Sequence, residues 1–507
     1  MQPIPSEHRL HPIALLLTLG KHIKEAVFAF AGVLFASVGD GNVAGVPWQA
    51  LLGGVALLMV IGPTLTHYLT YRYRFEQDEL VIRWGWLQRI ERHVPFAKIQ
   101  GIDAHEGMLH RLVGAVAVTL ETGGGTEAEG KISAVSRAAF DTMREQVYEG
   151  RQHRVVDAPG AESATPSGIS TVAHLSPRET MLAGLVLGKG MFLIGAAVAL
   201  LFEFGLSDPI IHWLFDDDTG EQGLLSSLFA GVRADGDIAG AVLIGSGLLA
   251  AFLLVVRGLA SVLTALRFHD HRLERINDDL RVSCGLLTRS SSSTPIHRIQ
   301  SLTVTEGPWH RLTGRVTVQV ATAGGGEENE QVASRETLTP FLRRRELEGL
   351  IAIALRGLVL PGGDWGTAAS RAYRRALLEY TVIWTVPLAL CWYIWWAMGV
   401  ACVVLAVISI AAAMRRIAHY RWIAFDEGVA LRTGWLWRGT TIVRYDRIQL
   451  AVFHESPFDR RHAMAGVSVD TAGGDAPSLD FDLLTRSDAT GLLTQLDAGI
   501  ANTEFTP

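Results

Sequence analysis

The sequence predicts α-helical membrane hairpins that alternate with three copies of a small antiparallel β roll or barrel, each closed by a C-terminal helix. Three observations predict this class. One stretch occurs three times, at residues 95–125, 295–326 and 444–474. Long apolar segments precede each copy, and short runs of alternating apolar and polar residues surround it. Membrane segments and soluble β modules therefore recur as one unit.

The three copies keep a common register. Each has a basic residue before Ile-Gln, a valine-rich run and a glycine cluster, and Gly85, Gly285 and Gly434 each precede the glutamine by 15 residues. The first two copies also share His-Arg-Leu-x-x-Gly. For the third, the sequence predicts a three-residue insertion before Gly466. Convergent composition would not keep this spacing, so the repeat is structural.

Length and composition set limits on the class of protein. The chain has 507 residues, too many for one core, and its net charge of −6 argues against bulk nucleic-acid binding. Apolar residues make up 49% and charged residues 19%, a mixture that fits a chain partly in membrane and partly in water. The cysteines, Cys284, Cys391 and Cys402, form neither a disulfide framework nor a CxxC pair.

Residues 1–68 are predicted to hold an N-terminal segment and the first transmembrane hairpin. The apolar runs Ala26–Val38 and Trp48–Leu65 flank a turn at Gly39–Asn42. A cleaved signal peptide is the alternative. A retained anchor is favoured, because a paired hydrophobic segment precedes every module.

The first module is predicted at 69–150. Tyr71–Phe75 alternates as a strand does, 76–79 is a turn, and Leu80–Leu87 forms a second strand. Further strands reach Leu120, and Ser136–Val147 has a serine N-cap and helical apolar spacing. Residues 151–176 are rich in Pro, Gly, Ala and Ser and predict a flexible linker.

The cycle then restarts twice. We predict a second hairpin at 177–266 with an acidic external loop, a module at 267–356 that ends in a helix from Phe341, a linker at 357–370, a third hairpin at 371–419 with its turn near Trp395–Gly399, and a module at 420–500. Lys189 and Arg257 interrupt the second hairpin. Charges there indicate either an intramembrane site or a span boundary, and a boundary is favoured for Lys189.

Lysine and arginine beside the spans predict the orientation. The turn at 39–47 has neither residue, whereas Arg72, Arg267, Arg415 and Arg421 lie on the module side. We therefore expect a multi-pass protein of the bacterial cytoplasmic (inner) membrane, with both termini and all modules cytoplasmic.

The pattern Y-R-Y-R-F, D-E-L-V-I-R-x-G-x-L, K-I-Q, H-R-L-x-G, T-x-G-G, preceded by a hydrophobic hairpin, resembles bacterial membrane proteins with PH-like domains, the YdbS/YdbT-like family. The resemblance covers nearly the whole chain and is closest to the longer, three-module form. It implies PH-like modules, each a bent antiparallel sheet plugged by a C-terminal helix. It also implies no enzymatic activity, and a link of some members to resistance against antimicrobial compounds.

The candidate interaction or structural residues lie in the repeated stretch. A structural role is favoured for the basic-Ile-Gln triplet and for the His-Arg turns, and a groove for a protein partner is the alternative. A binding surface is expected where the copies differ, and the third copy's predicted insertion near Arg460-Arg461 is the first place to test. The full set is Lys98, Gln100, Arg111, Arg298, Gln300, Arg311, Arg447, Gln449, Arg460 and Arg461.

Other chemistry is not predicted. The first strand-to-strand turns, Glu76–Glu79, Asn277–Asp279 and Asp426–Gly428, carry carboxylates that would repel phosphate headgroups. His269-Asp270-His271 has no counterpart in the other modules, and the glycine clusters are not P-loops, since no Lys-Ser/Thr follows them. We predict no catalytic residue, no metal and no cofactor.

We therefore expect a non-enzymatic scaffold or interaction platform that presents three cytoplasmic modules, and the resemblance suggests a link to envelope stress or antimicrobial resistance. The alternative is a transporter or exporter component whose modules gate a path, although the charge-poor spans argue against it. The expected partners are the lipid bilayer and a protein, either a shorter related PH-like membrane protein or a second copy in a homo-oligomer. No nucleic acid is expected.

Overall fold

The computed structural model describes residues 8–15, 62, 64–76, 79–86, 89–96, 99–122, 130–144, 170–187, 238–322, 335–394, 396–472 and 478–501. Within these residues the chain builds three copies of one β module and three long apolar helices. The predicted fold class is confirmed.

Each module has six strands, numbered here along the chain together with one short strand ahead of each module. Module 1 contains β2 Arg72–Phe75, β3 Glu79–Trp84, β4 Ile90–Pro95, β5 Ile99–Glu106, β6 Ala115–Thr122 and β7 Gly130–Ser136. Module 2 contains β9 Arg272–Ile276, β10 Asp279–Cys284, β11 Arg289–Pro295, β12 Ile299–Glu306, β13 Arg315–Thr322 and β14 Arg335–Arg343. Module 3 contains β16 Arg421–Phe425, β17 Gly428–Thr433, β18 Arg438–Arg444, β19 Ile448–His454, β20 Met464–Thr471 and β21 Leu479–Thr485.

The preceding short strands are β1 His8–Arg9, β8 Ser170–His174 and β15 Gly366–Thr367, each paired with the first strand of its module. Residues 170–174 and 366–367 were expected in linkers from their composition. They pair instead because the first strand of each module offers them an open edge.

The helices fall into three groups. A short helix follows the fourth strand of each module: α1 Met108–Leu112, α4 Pro308–Thr313 and α8 Pro457–His462. A closing helix follows the sixth strand: residues 137–144, α5 Leu347–Ala354 and α9 Arg486–Ala501. The hairpin helices are α2 Pro177–Leu187, α3 Ile238–Arg267, α6 Ala372–Ile394 and α7 Trp396–Ala418, and residues 64–70 are also helical.

The closing helices plug the modules, as the roll prediction requires. Met143, Leu350 and Leu492 each lie in a buried core with the strands of their own module. Ser136 Oγ accepts a hydrogen bond from Ala139 N (3.3 Å), which confirms the predicted N-cap. The predicted helix from Phe341 is wrong for its first residues, because β14 continues to Arg343 to pair with β13 before the chain turns into the helix.

In the described part of the chain, three apolar helices are long enough to cross a membrane: Leu243–Arg267, Ala372–Tyr393 and Met398–Ala418. The last two form the predicted third hairpin, in which α6 ends at Ile394 and α7 begins at Trp396. The first predicted hairpin, Lys189 and the acidic loop at 203–237 lie outside the described residues.

The hairpins are fastened to their modules. Glu179 on α2 receives hydrogen bonds from Arg315 (2.6 Å) and Arg343 (3.3 Å) of module 2. Burial alone would raise the pKa of Glu179, but bonds from Arg315, Ser176 and Arg343 lower it to about 2. Arg375 on α6 pairs in the same way with the buried Asp459 of module 3. Modules 2 and 3 are thereby held at the base of their hairpins.

Candidate functional site

The modules join through their sheets. The fourth strand of one module pairs antiparallel with the third strand of the next, β5 with β11 and β12 with β18. Each junction therefore continues one sheet across two modules, and each resulting sheet has seven strands. Backbone hydrogen bonds and shared register fix neighbouring modules more firmly than a linker would.

The same charge pair closes both junctions. Glu106 lies opposite Arg289 in the first, and Glu306 lies opposite Arg438 in the second. Opposite charges at facing positions of paired strands stabilise the pairing and set its register. Each glutamate also pairs with an arginine of its own module, Glu106 with Arg137 at the start of the closing helix and Glu306 with Arg344 in the turn just before α5.

Two of the predicted site residues bridge the junctions. Arg111 on α1 donates to Leu286 O (2.6 Å), and Arg311 on α4 donates to Leu436 O (2.8 Å). Both carbonyls lie in the turn after the repeated glycine, Gly285 or Gly434, of the following module. These arginines therefore fasten one module to the next.

The second junction shares a hydrophobic core. Ala430 and Ile442 of module 3 belong to the core of module 2. Thr303 and Thr441 are hydrogen-bonded across the junction (3.2 Å), and Arg444 donates to Leu355 O (2.7 Å). Modules 2 and 3 thus form one packed body.

The first junction is polar. A cleft of about 190 Å³ lies between module 1 and module 2. Its lining residues are Ala104, Glu106, Arg137, Phe140, Arg272, Glu274, Arg281, Ser283, Arg289 and Ser291. Several of these charges are already paired, as Arg137 is with Glu106 and Arg272 with Asp270. The cleft is part of the junction.

The third copy aligns differently from the sequence prediction. The short helix of module 2 ends at Gly314 and that of module 3 at Ala463, both in the left-handed conformation (φ 63° and 49°). Ala463 follows Gln449 by the same interval as Gly314 follows Gln300, whereas Gly466 lies within β20. The predicted insertion is therefore wrong, because an alanine occupies the position where glycine was expected.

This alignment gives Arg460 and Arg461 separate roles. Arg460 occupies the position of Arg111 and Arg311, and Arg461 occupies the position of Leu312. Arg460 is exposed. Its side chain makes no hydrogen bond within the described part of the chain, whereas the side chains of Arg111 and Arg311 each donate to the following module.

The edge that corresponds to the junctions is open in module 3. Among the described residues β19 pairs only with β20. Leu450 and Val452 are 53% and 41% exposed, whereas their counterparts on β12, Ser301 and Thr303, are 1% and 7% exposed beneath β18. An apolar pair thus lies uncovered where module 2 has buried hydroxyl residues, and such an edge is a template for another strand.

The basic-Ile-Gln triplet also differs between the covered strand β12 and the open strand β19. Ile99, Ile299 and Ile448 are buried in the cores, and Arg298 and Gln300 are buried beside the second junction. In module 3, Arg447 is buried, with its pKa lowered by burial, whereas Gln449 is exposed on the open edge. Lys98 and the side chain of Gln100 lie outside the described residues.

The His-Arg turns are structural in module 2. His310 is buried, where Nδ1 accepts from Gly307 N (3.2 Å) and Nε2 bonds Thr317 Oγ1 (3.1 Å). Burial lowers the pKa of His310, so the neutral ring is favoured. Asp459 takes this position in module 3 and binds Arg375.

The remaining motifs form no common centre. His271 is fully buried, and burial lowers its pKa to about 4. No group of three potential metal ligands occurs among the described residues. In the acidic turn of module 2, Asp278 pairs with Arg356 (3.3 Å). The glycine clusters at 123–125 and 324–326 lie outside the described residues.

Each module also has an exposed apolar rim, which is formed by apolar residues of its glycine turn and of its short helix. In module 2, Leu286 N donates to Leu266 O (2.9 Å) and Gly285 N to His269 O (2.8 Å), so the glycine turn lies against the end of α3. Trp86 and Leu312 on such rims are each 77% exposed. Apolar and tryptophan side chains beside membrane helices are typical of the bilayer interface.

Sequence reasoning missed Leu450, Val452 and Glu455 as site residues. The available signal was a comparison of the copies: apolar residues stand on β19 where the other modules carry Gly, Ser, Asp or Thr. This difference in sequence points to an interface only once the structure shows that a neighbouring module covers the equivalent residues of β12.

Comparisons with known proteins match this architecture. The bacterial PH domain family matches the chain three times, at residues 26–151, 227–356 and 376–500. The UPF0699 transmembrane protein YdbT of Bacillus subtilis (strain 168) is 24% identical over 479 residues, which cover 91% of this chain and 92% of that protein. Each matched range takes in an apolar stretch of sequence as well as a β module.

Proposed function

Because this chain belongs to the bacterial PH domain family, we propose that it is a non-enzymatic, membrane-anchored platform that binds a protein partner by strand addition to β19. Its modules lie on the cytoplasmic side of the inner membrane in this proposal. The membrane helices anchor the array, and the junctions hold the modules in a fixed order.

The exposure of Leu450 and Val452 carries the proposal. Both side chains lie on a fourth strand whose two counterparts are covered by a neighbouring module. Strand addition supplies backbone hydrogen bonds, and the facing side chains supply specificity. Arg460 adds a donor in the place where Arg111 and Arg311 bind a neighbour's turn carbonyl.

A photo-crosslinking residue at position 450 of the full chain, in native membranes, tests the platform. We expect a protein adduct that is lost with Arg460→Ala and kept with Arg461→Ala, since only Arg460 aligns with the bridging arginines. The same photo-crosslinking residue at Asp480, on the other edge strand β21, provides the negative control. Adducts with lipid alone, or adducts indifferent to Arg460→Ala, would contradict the proposal.

A further inference from the structure

We infer that the partner of β19 is β4 in a second copy of this chain, which gives a head-to-tail assembly built with the chain's own internal junction. The inference rests on the proposed function, because it names the partner of the same edge. The edge could accept a second copy, a shorter related protein or an unrelated strand, and we argue for the second copy.

The two open edges of the chain are complementary. The internal junctions use the third strands β11 and β18 and the fourth strands β5 and β12. Among the described residues, the third strand β4 pairs only with β3 and the fourth strand β19 only with β20. One chain therefore presents one half of the junction at each end.

When the register of the internal junctions is applied to β4 and β19, no like charges face each other. Arg89 stands in the position of Arg289 and Arg438, and Glu455 stands in the position of Glu106 and Glu306. The same antiparallel register places Arg89 opposite Glu455. It also places the exposed Ile90 opposite His454 and brings β4 alongside Leu450 and Val452.

The turn residues are compatible as well. At the second junction, a Cβ on Gly307 would lie 3.2 Å from the Trp437 ring, so a bulky turn residue there needs glycine opposite. Ser456 replaces that glycine in module 3, and the first module has Gln88 in place of Trp437. Arg460 would then face Trp86, which stands in the position of Leu286, the residue whose carbonyl accepts from Arg111 at the first junction.

Such an assembly keeps every module at the membrane. At both internal junctions the short helix of one module meets the glycine turn of the next, so the apolar rims are neighbours. Repeating this geometry between chains places the next rim on the same side. The contact joins different surfaces on the two copies, so it propagates into an open row or closes into a ring.

Cysteine cross-linking between differently tagged full-length copies tests the inference. In a background without Cys284, Cys391 and Cys402, one copy carries His93→Cys and the other Ala451→Cys, which fall opposite each other in the inferred register. We expect a disulfide-linked pair of copies after mild oxidation in membranes. Glu91→Cys with Phe453→Cys should cross-link too, whereas His93→Cys with Asp480→Cys should not.

One further variant separates this inference from the platform proposal. Arg89→Glu leaves β19 intact, so it should abolish cross-linking only when carried by the copy that supplies β4. If no copy-to-copy product forms and the adduct from position 450 is a different protein unaffected by Arg89→Glu, self-assembly is overturned and the platform remains. If neither product forms, both proposals fall.

Discussion

A single repeat position illustrates how one module departs from the others. Tyr71, His271 and Tyr420 are equivalent and buried, but only the histidine can gain a proton in mild acid. Burial disfavours the charged ring and lowers the pKa of His271 to about 4. The unfolded chain, with the ordinary value of 6.5, binds that proton more readily.

Module 2 should therefore lose stability in mild acid. The stability of module 2 should be complete above about pH 6.5 and should fall between pH 6.5 and 4, because only the unfolded state is then protonated. The full loss is on the order of 3 kcal/mol. We expect His271→Tyr to flatten this acid limb, measured as the melting temperature of the full chain in detergent from pH 7 to 4.5.

The neighbouring His269→Tyr is the matched control and should leave the acid limb unchanged. A wild-type melting temperature that does not move across this interval would contradict the burial of a neutral His271. An equal effect of the two substitutions would assign the limb to another group.

Residue-level prediction from sequence succeeded where the signal is local. The isoleucine of each basic-Ile-Gln triplet is buried, as its favoured structural role requires. The third copy failed at Ala463, because left-handed backbone is usually marked by glycine and an alanine gives no such mark. The consequence reached function: only after the alignment was corrected did Arg460 fall on the bridging position.

At the scale of elements, α2 and α3 approach too closely for a side chain between them. A Cβ on Gly184 would lie 2.5 Å from Ser261 O, and Ser261 Oγ donates to Met181 O (2.7 Å). Gly184→Ala should therefore force the helices apart and lower the melting temperature, at a cost of about 1–3 kcal/mol.

Gly258→Ala on α3 is the matched control, because a Cβ there meets no atom within 4 Å. Helix propensity favours alanine over glycine by about 1 kcal/mol, so this variant should be neutral or slightly stabilised. The packing of α2 on α3 would be contradicted if both variants had the same melting temperature.

The third hairpin can be checked without adding a residue. Cys391 on α6 and Cys402 on α7 lie with their sulfur atoms 3.0 Å apart. A mild external oxidant applied to membranes should remove both thiol hydrogens and link the two helices within one chain. We expect faster migration on a non-reducing gel.

Cys391→Ser should abolish that shift, whereas Cys284→Ser, on β10, should not. A product that links two chains and leaves no internally closed species would show that the helices do not form the hairpin described.

The elements themselves were largely predictable, because alternation, apolar runs and capping residues act over a few neighbouring positions. The strand pairs between modules were not. β5 and β11, and β12 and β18, are separated by an entire membrane hairpin in sequence, and no local pattern marks such partners. The short strands β8 and β15 were missed for the same reason.

The whole molecule is a row of modules whose ends differ. The apolar second junction makes modules 2 and 3 one body, and the polar first junction joins module 1 through charged groups around a cleft. We expect high salt to loosen the first junction before the second. Salt screens charge pairs, whereas it strengthens apolar burial.

The arginines beside α7 predict how this row is oriented in the membrane. Arg415 and Arg416 stand in the last turn of α7, beside module 3, and the break between α6 and α7 has no Lys or Arg nearby. From this distribution of positive charge we predict that module 3 lies in the cytoplasm and that the connection between α6 and α7 lies outside. In a cysteine-free chain in intact bacterial cells, Met398→Cys should react with a membrane-impermeant maleimide.

Asp480→Cys, on an exposed position of β21, should react only after the cells are permeabilised. The two single-cysteine variants share the same fold, so each is the control for the accessibility of the other. Labelling of Asp480→Cys in intact cells would put the modules outside and remove the platform from the cytoplasm. The expected pattern would place β4 and β19 on the same cytoplasmic surface, as head-to-tail pairing between copies requires.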